Sequence, residues 1–285
     1  MAILIDVSQI IIANVSQAQY KATREQVTVD DLFVKHMIIN SLRLYNHKFK
    51  SEYGEMIICC DSKDTWRKKQ FPFYKAHRQE QKEAGPIEWN LVYSALNGMV
   101  KDLKEYFPYK VMKVESCEAD DIIAKLSRDL HGNHVIVSGD KDMGQLTNQR
   151  VKQFHPITKK FIDIPNSQAF LKDLIIRGDK GDGVPNILSD SDTFITKGKR
   201  SKSIHDEKVN VWLNQAPEFF CENSRVLENY HKRNTVLIDL TQTPEDIQNS
   251  IMEAYRVPAN GNRQTIMQYF MANRMRSLLE CIEQF

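Results

Sequence analysis

Three short apolar runs each lead to an aspartate: residues 2–5 before Asp6, residues 56–60 before Asp61, and residues 134–137 before Ser138-Gly139-Asp140. A fourth segment adds Glu118, Asp120 and Asp121, and its three-residue spacing puts Glu118 and Asp121 on one face of a helix. Asp142 follows Asp140, and the run Gly178-Asp179-Lys180-Gly181-Asp182-Gly183 contributes Asp179 and Asp182. Carboxylates gathered in one cleft raise one another's pKa strongly, and bound cations relieve that conflict. Oxygen-only donors select hard Mg²⁺ or Mn²⁺ over zinc, and Mg²⁺ typically keeps several waters. Two such ions about 3.5–4 Å apart would activate a water and stabilise the leaving oxygen of a phosphodiester. A lone aspartate ending a strand is more often a turn or cap residue, and Asp30, Asp31, Asp102 and Asp173 are read as surface charges. Three strand-end aspartates together with an acidic helix start point to metal-dependent phosphoryl transfer.

The elements that must position these acids follow from the patterning. The three apolar runs, bounded by turn residues and separated by helix-length segments, read as buried parallel strands of an α/β sheet. In such a sheet ligands bind at the carboxyl ends of the strands, where Asp6, Asp61 and Asp140 fall. Residues 32–44 and 91–103 read as helices between them. Residues 118–130 make the clearest helix, because Ala119, Ile122, Ile123, Leu126 and Leu130 recur at three- and four-residue spacing. Its acidic start suits the helix dipole. After Pro165 helical patterns prevail, over 168–177, 244–255 and 263–283. Thr243-Pro244-Glu245-Asp246 supplies a cap residue, a proline at the first helical position and first-turn acids.

With 285 residues, 41% hydrophobic and 27% charged, the chain is long enough for two modest domains. The net charge of +2 gives only weak support for a polyanionic partner, so the distribution of charge matters more than its sum. Cys59, Cys60, Cys117, Cys221 and Cys281 lack CxxC spacing and are read as reduced, mostly buried thiols. The start of the chain lacks the pattern of a signal peptide, and no run approaches ~20 apolar residues, so the expectation is a soluble cytoplasmic protein without membrane contact. Between positions 63 and 82 stand Lys63, Arg67, Lys68, Lys69, Lys75, Arg78 and Lys82, interleaved with Trp66, Phe71, Phe73 and Tyr74. Charge of this kind binds phosphates and aromatic faces stack bases. A solvated basic helix with a packed aromatic face is the blander reading, and it is preferred for Trp66 and Phe71. Lys197, Lys199, Arg200 and Lys202 form a second basic stretch, read either as a non-specific phosphate contact or as a mobile surface loop.

Taken together, Leu4-Ile5-Asp6 with Ser8-Gln9, Cys60-Asp61, Glu118-Ala119-Asp120-Asp121, Ser138-Gly139-Asp140-Lys141-Asp142, the Gly178–Asp182 run and Asn234-Thr235-Val236-Leu237-Ile238-Asp239 resemble the 5′ nuclease superfamily of flap endonucleases and 5′–3′ exonucleases. Within it they are similar to the RNases H of T-even-type bacteriophages, over nearly the whole chain. The resemblance implies a PIN-like parallel-sheet nuclease core over 1–165 with a helical arch at about 63–85. A mainly α-helical DNA-binding region with a helix–turn–helix would follow over 166–285. It implies a first metal region of Asp6, Asp61, Glu118, Asp120, Asp121 and Asp140, and a second of Asp142, Asp179 and Asp182, holding two Mg²⁺ ions that Mn²⁺ can replace. Tyr74-Lys75-x-x-Arg78 matches the arch, where Lys75 and Arg78 would meet the scissile phosphate or a threading strand. Tyr74, Arg67, Lys68 and Lys69 are assigned to nucleic acid with them.

Gly181 and Gly183 would let backbone approach a phosphate or monovalent cation, as in the duplex-gripping turn of the family. The chain departs from cellular flap endonucleases immediately afterwards, reading Val184-Pro185-Asn186-Ile187-Leu188-Ser189-Asp190. The implied activity is Mg²⁺-dependent hydrolysis of RNA–DNA hybrids and of branched or nicked duplex DNA, with excision of RNA primers and flaps in phage replication, in the host cytoplasm. Candidate protein partners are a single-strand-binding protein or sliding clamp, the enzyme itself acting as a monomer. The alternatives are a PIN-like ribonuclease on single-stranded RNA and a non-catalytic DNA-binding replication accessory. Residues 278–285 are read as a core-facing helix end in preference to a docking tail.

Overall fold

The computed structural model describes residues 1–285 except Val27 and Pro86, together with the side chains of all of these but Gln79, Gln81 and Ala84. Six strands form one sheet: β1 (Ala2–Asp6), β2 (Glu55–Cys60), β3 (Lys110–Lys113), β4 (His134–Val137), β5 (Val151–His155) and β6 (Lys160–Ile162), in the order β3-β2-β1-β4-β5-β6. All neighbours are parallel except the β5–β6 hairpin. Leu4 pairs with Ile57 on one side and Ile136 on the other, so the three acid-bearing strands run in register and end at one edge. From β1 the chain goes first to one side of the sheet and later to the other. That reversal opens a crevice beyond the carboxyl ends of the central strands.

Strand periodicity divides the core between the two faces. Ile3 and Ile5 point into one cluster with α1 (Val7–Glu25), α2 (Asp31–Tyr53) and, further on, α5 (Trp89–Tyr106). The short helices α3 (Trp66–Gln70) and α4 (Arg78–Ala84) lie between β2 and α5. Ala2 and Leu4 face the other cluster, against α6 (Ala119–Asp129). Each fully buried isoleucine contributes about 1.5–3 kcal/mol.

Helix α1 is absent from the sequence reading, although Val7, Ile10, Ile11, Val15, Ala18 and Ala22 carry the helical spacing. Its N-cap is Asp6, whose side chain accepts from the Gln9 amide. The strands β3, β5 and β6 were also not expected. They are short, lie towards the sheet edges and mix Lys, Gln or His with apolar residues without clean alternation.

Beyond the sheet the chain is helical: α7 (Ser167–Arg177), α8 (Asp206–Trp212), α9 (Pro217–Phe220), α10 (Ser224–Glu228), a π-helical turn over Asn229–Thr235, α11 (Val236–Ile238), α12 (Glu245–Arg256), α13 (Arg263–Ala272) and α14 (Arg276–Leu279). After the glycine loop at 178–183 the next helix begins only at Asp206, with turns between. The expected helix over 263–283 is broken after Ala272, where Arg274 takes a left-handed conformation with φ of 55°. Pro244 precedes α12 as its cap residue instead of occupying its first position. Tyr269, Phe270, Leu278 and Phe285 pack into the α1/α2/α5 side of the sheet core, so the last residues face inward as expected. Cys59, Cys60 and Cys117 are buried and all five cysteines are free thiols. Among the described residues no helix is long and apolar enough to cross a membrane.

Candidate active site

Asp6, Asp61 and Asp140 stand at the carboxyl edge of β1, β2 and β4, as the strand reading requires. Small polar groups fix each of them. The Ser138 hydroxyl donates to Asp6 Oδ2 at 3.2 Å and accepts from the Asp140 amide at 3.0 Å. Ser8 donates to Asp61 Oδ2 at 2.7 Å, and the Ala119 amide at the start of α6 donates to Asp61 Oδ1 at 2.9 Å. Gln153, fully buried on β5, donates to the carbonyls of Ser138 and Asp140. Ser8 and Ser138 lie inside the quoted motifs, but their role as acid holders was not read from sequence. Gln153 had no signal, since nothing in a lone polar residue of an edge-region strand reveals that it faces the turn.

Burial pushes Asp6 up to about 7, with Asp61 and Asp140 adding repulsion. Asp142 rises to about 8 for the same reasons, through burial and then Asp140, Asp179 and Asp182. Burial and the neighbouring carboxylates Asp140 and Asp6 lift Asp120 well above the carboxylate range, and burial lifts Asp140. The Asp142 Oδ1 atom is buried without a hydrogen-bond partner. Such a set fits divalent cations: negative charge is concentrated on hard oxygen donors, and one acceptor is left unused. Among the described residues no three His, Cys, Asp or Glu side chains already converge as a cage. An open array of this kind suits a divalent ion that keeps most of its waters.

The remaining acids are compensated. Glu118 receives Lys75, Arg67, Thr65 and the Tyr74 hydroxyl. Burial alone would raise it, but Lys75 and Arg67 hold it down to about 2. Asp182 pairs with Arg78 and lies 2.6 Å from the Tyr74 hydroxyl, and Asp179 pairs with Lys141 at 2.8 Å. Burial opposes ionisation of Asp179, and Lys141 more than offsets it. For Lys75 burial is likewise outweighed, by Asp182 and Glu118, so its ammonium is held above the ordinary lysine range.

Three assignments change, those of Asp121, Arg67 and Tyr74. Asp121 does not face the acidic cleft: it is 0% exposed and receives Arg67 at 2.9 Å, the Trp66 indole and the Thr243 hydroxyl. Arg67 is 1% exposed, so it is no phosphate contact but the counter-ion of Asp121 and Glu118. Helix α3 turns Trp66 and Arg67 inward and leaves Lys68 and Lys69 exposed, and Asp121 in the first turn of α6 meets that buried guanidinium. Tyr74 is also buried, its ring in the core and its hydroxyl on the acids.

The glycine loop leans on the arch. At Gly183, with φ of 75°, a Cβ would come within 3.0 Å of the Phe73 carbonyl, and Arg78 Nε donates to the Gly181 carbonyl. Lys197, Arg200 and Lys202 are exposed on the turns beyond it, while Lys199 is engaged with Asp190 and Asp192.

This geometry is that of a nuclease core, and sequence comparison agrees. Residues 1–173 match the 5′–3′ exonuclease N-terminal resolvase-like domain, and residues 168–285 match the C-terminal domain of T4 RNase H. The chain belongs to the 5′–3′ exonuclease family. Ribonuclease H of Enterobacteria phage T4 is 30% identical to this 5′ nuclease over 88% of the chain and 86% of its own length. Flap endonuclease Xni of Shewanella sp. strain MR-4 is 31% identical over 43% of the chain and 48% of its own length. Among solved structures, T5 5′-exonuclease with bound divalent metal ions (zinc) superposes with a TM-score of 0.59 at 18% identity, covering 89% of the chain and 97% of that protein. T5 flap endonuclease in complex with DNA and metal ions gives 0.56 at 15% identity, covering 90% and 99%. These likenesses show that the fold is that of the 5′ nucleases. The enzyme is accordingly a 5′–3′ exonuclease of the flap endonuclease and RNase H type.

Proposed function

We propose that this 5′ nuclease hydrolyses RNA–DNA hybrids and branched or nicked duplex DNA with two Mg²⁺ ions, which Mn²⁺ can replace, and so removes RNA primers during phage DNA replication. The observation that carries the reading is the cluster of Asp6, Asp120, Asp140 and Asp142, whose repulsion and burial raise their pKa values, beside the Lys75–Glu118 pair. Asp6, Asp61, Asp120 and Asp140 would hold one ion, with Glu118 adjoining, and Asp142, Asp179 and Asp182 the other. When bound, the ions supply the charge that activates water and stabilises the leaving oxygen.

The chain's own residues do the rest. Ser8 and Ser138 orient the strand-end acids. Lys75 and Arg78 present cations on the arch side, where a scissile phosphate would take them over from Glu118 and Asp182. Exposed Lys68, Lys69, Lys197, Arg200 and Lys202 would bind backbone phosphates without reading sequence. Residues 1–165 would carry the chemistry and residues 166–285 the grip on duplex. A cleavage assay on a 5′-flap duplex, an RNA–DNA hybrid and single-stranded RNA, with Mg²⁺ or EDTA, tests the reading. Metal-dependent cutting of the first two is the expected result; activity in EDTA, or on RNA alone, would overturn it.

A further inference from the structure

Residues 233–243 give the site no acid and no substrate-facing base, yet their polar groups reach most of its acid-bearing elements. Arg233 is 7% exposed and has no carboxylate partner among the described residues. Its guanidinium donates instead to the carbonyls of Ser189 at 3.0 Å, Pro185 at 3.0 Å and Asn186 at 2.8 Å, and its Nε to the side-chain oxygen of Asn234 at 2.8 Å. Fully buried Asn234 donates to the carbonyls of Ile175 at 2.7 Å and Pro185 at 3.0 Å. These two side chains therefore hold both flanks of the 178–183 loop, the end of α7 before it and the turn after it.

The next residues turn to the other acids. The Leu237 carbonyl accepts from Arg67 Nε at 2.9 Å, and Arg67 in turn holds Glu118 and Asp121. Gln145, in the 3₁₀ turn that carries Asp142, donates to the Ile238 carbonyl at 3.1 Å and accepts from the Leu240 amide at 2.9 Å. Thr243 donates to Asp121 at 2.7 Å. A desolvated guanidinium without a counter-ion is costly unless its donors are matched, and a hydrocarbon in its place would avoid that cost. What the matched arginine adds is geometry, because several fixed carbonyls must converge on one planar fork. The π-helical turn at Asn229–Thr235, an uncommon conformation, sets the adjacent Arg233 and Asn234 side chains on the two flanks of the loop.

We propose that residues 233–243 are a positioning strap that fixes the separation between the Glu118 end of the acidic array and the Asp179/Asp182 end. Arg233, Asn234 and Gln145 act through other residues and touch no reacting atom. The strap's catalytic role rests on the reading of Asp179 and Asp182 as working acids.

Hydrogen exchange on the full chain, read beside single-turnover cleavage, tests it with Arg233→Lys, Asn234→Ala and Gln145→Ala. The first two should speed exchange at the Asp179, Asp182 and Val184 amides by about tenfold, with the amides of β1 and β2 unchanged. Gln145→Ala should do so at 141–147 alone. Cleavage should fall by a similar factor while substrate affinity stays within about twofold. Uniform acceleration across the sheet, or none in the loop, would overturn the strap. If Arg233→Lys fails to fold, Asn234→Ala, which loosens the same loop at Ile175 and Pro185, still decides. Cleavage by Asp182→Asn, measured alongside, separates the two failures: undiminished activity there would remove the reading on which the catalytic role rests, whatever the exchange shows.

Discussion

The acids at the sheet edge and the acids facing the arch are chemically alike and electrostatically opposite. Burial pushes Asp6 up to about 7 and Asp142 to about 8, and for each the further upward push comes from other carboxylates. Glu118 is 8% exposed, yet it is held at about 2 by Lys75 and Arg67, and Lys141 holds Asp179 below the usual range. Burial alone therefore does not decide the protonation state of a carboxylate here; it raises every one of these groups, and the charge beside each adds to that rise or reverses it. One group has cationic side chains beside it, and the other has further carboxylates.

Substitutions that exchange these circumstances should have effects of graded size. Asp61→Asn removes a strand-end acid and is expected to slow cleavage by about a thousandfold or more while leaving duplex binding intact, as read by single-turnover kinetics and a binding titration. Equal loss of both would assign Asp61 a structural role. Lys75→Ala strips a built-in cation that a phosphate would share, and should slow cleavage about 10²–10³-fold, with a smaller effect on the thermal midpoint, which falls as Glu118 loses one of its two cations. Unchanged turnover would remove Lys75 from the mechanism.

Arg67→Met leaves Asp121 buried without its cation and should destabilise by about 3–5 kcal/mol in denaturant unfolding. A loss below about 1 kcal/mol would show that the pair is not the anchor of α6 to the arch. Lys68→Ala, exposed on the same short helix, should leave stability alone and flatten the slope of log affinity against log salt by about 0.9. An unchanged slope would mean that Lys68 meets no phosphate.

The edge acids were legible because strand-end aspartates combine two strong local signals, a short apolar run and a turn. The arch basics were legible only as a charge run, and spacing alone did not say which way each one points. Arg67 turned inward because Trp66 and Arg67 occupy the packed side of a helix of five residues, too short for periodicity to show. The three-residue spacing did place Asp121 on one face with Glu118, and both meet Arg67, but the turn of about 100° from Asp120 carries Asp121 away from the cleft. The 233–243 segment was legible only as the motif from Asn234 to Asp239, because residue type does not show that Arg233 and Asn234 meet main-chain carbonyls or that the Leu237 and Ile238 carbonyls accept side chains. The short strands β3, β5 and β6 escaped because edge positions tolerate the Lys and Gln that obscure alternation.

The contrast between the two groups can be measured directly as stability in EDTA at pH 8, comparing Asp6→Asn with Glu118→Gln. Between the ordinary carboxylate value and about 7, folded Asp6 keeps a proton that the unfolded chain has lost, so stability falls as pH rises through that window and the full penalty applies above it. Asparagine caps α1 as well as aspartate does without the charge. Glu118 has the opposite sign, since its depressed pKa stabilises the fold at every pH above the ordinary glutamate value, and glutamine forfeits that contribution. Asp6→Asn should therefore raise the unfolding midpoint in EDTA and abolish the gain that Mg²⁺ gives the wild type, and Glu118→Gln should lower the midpoint. A fall for both variants would contradict the contrast.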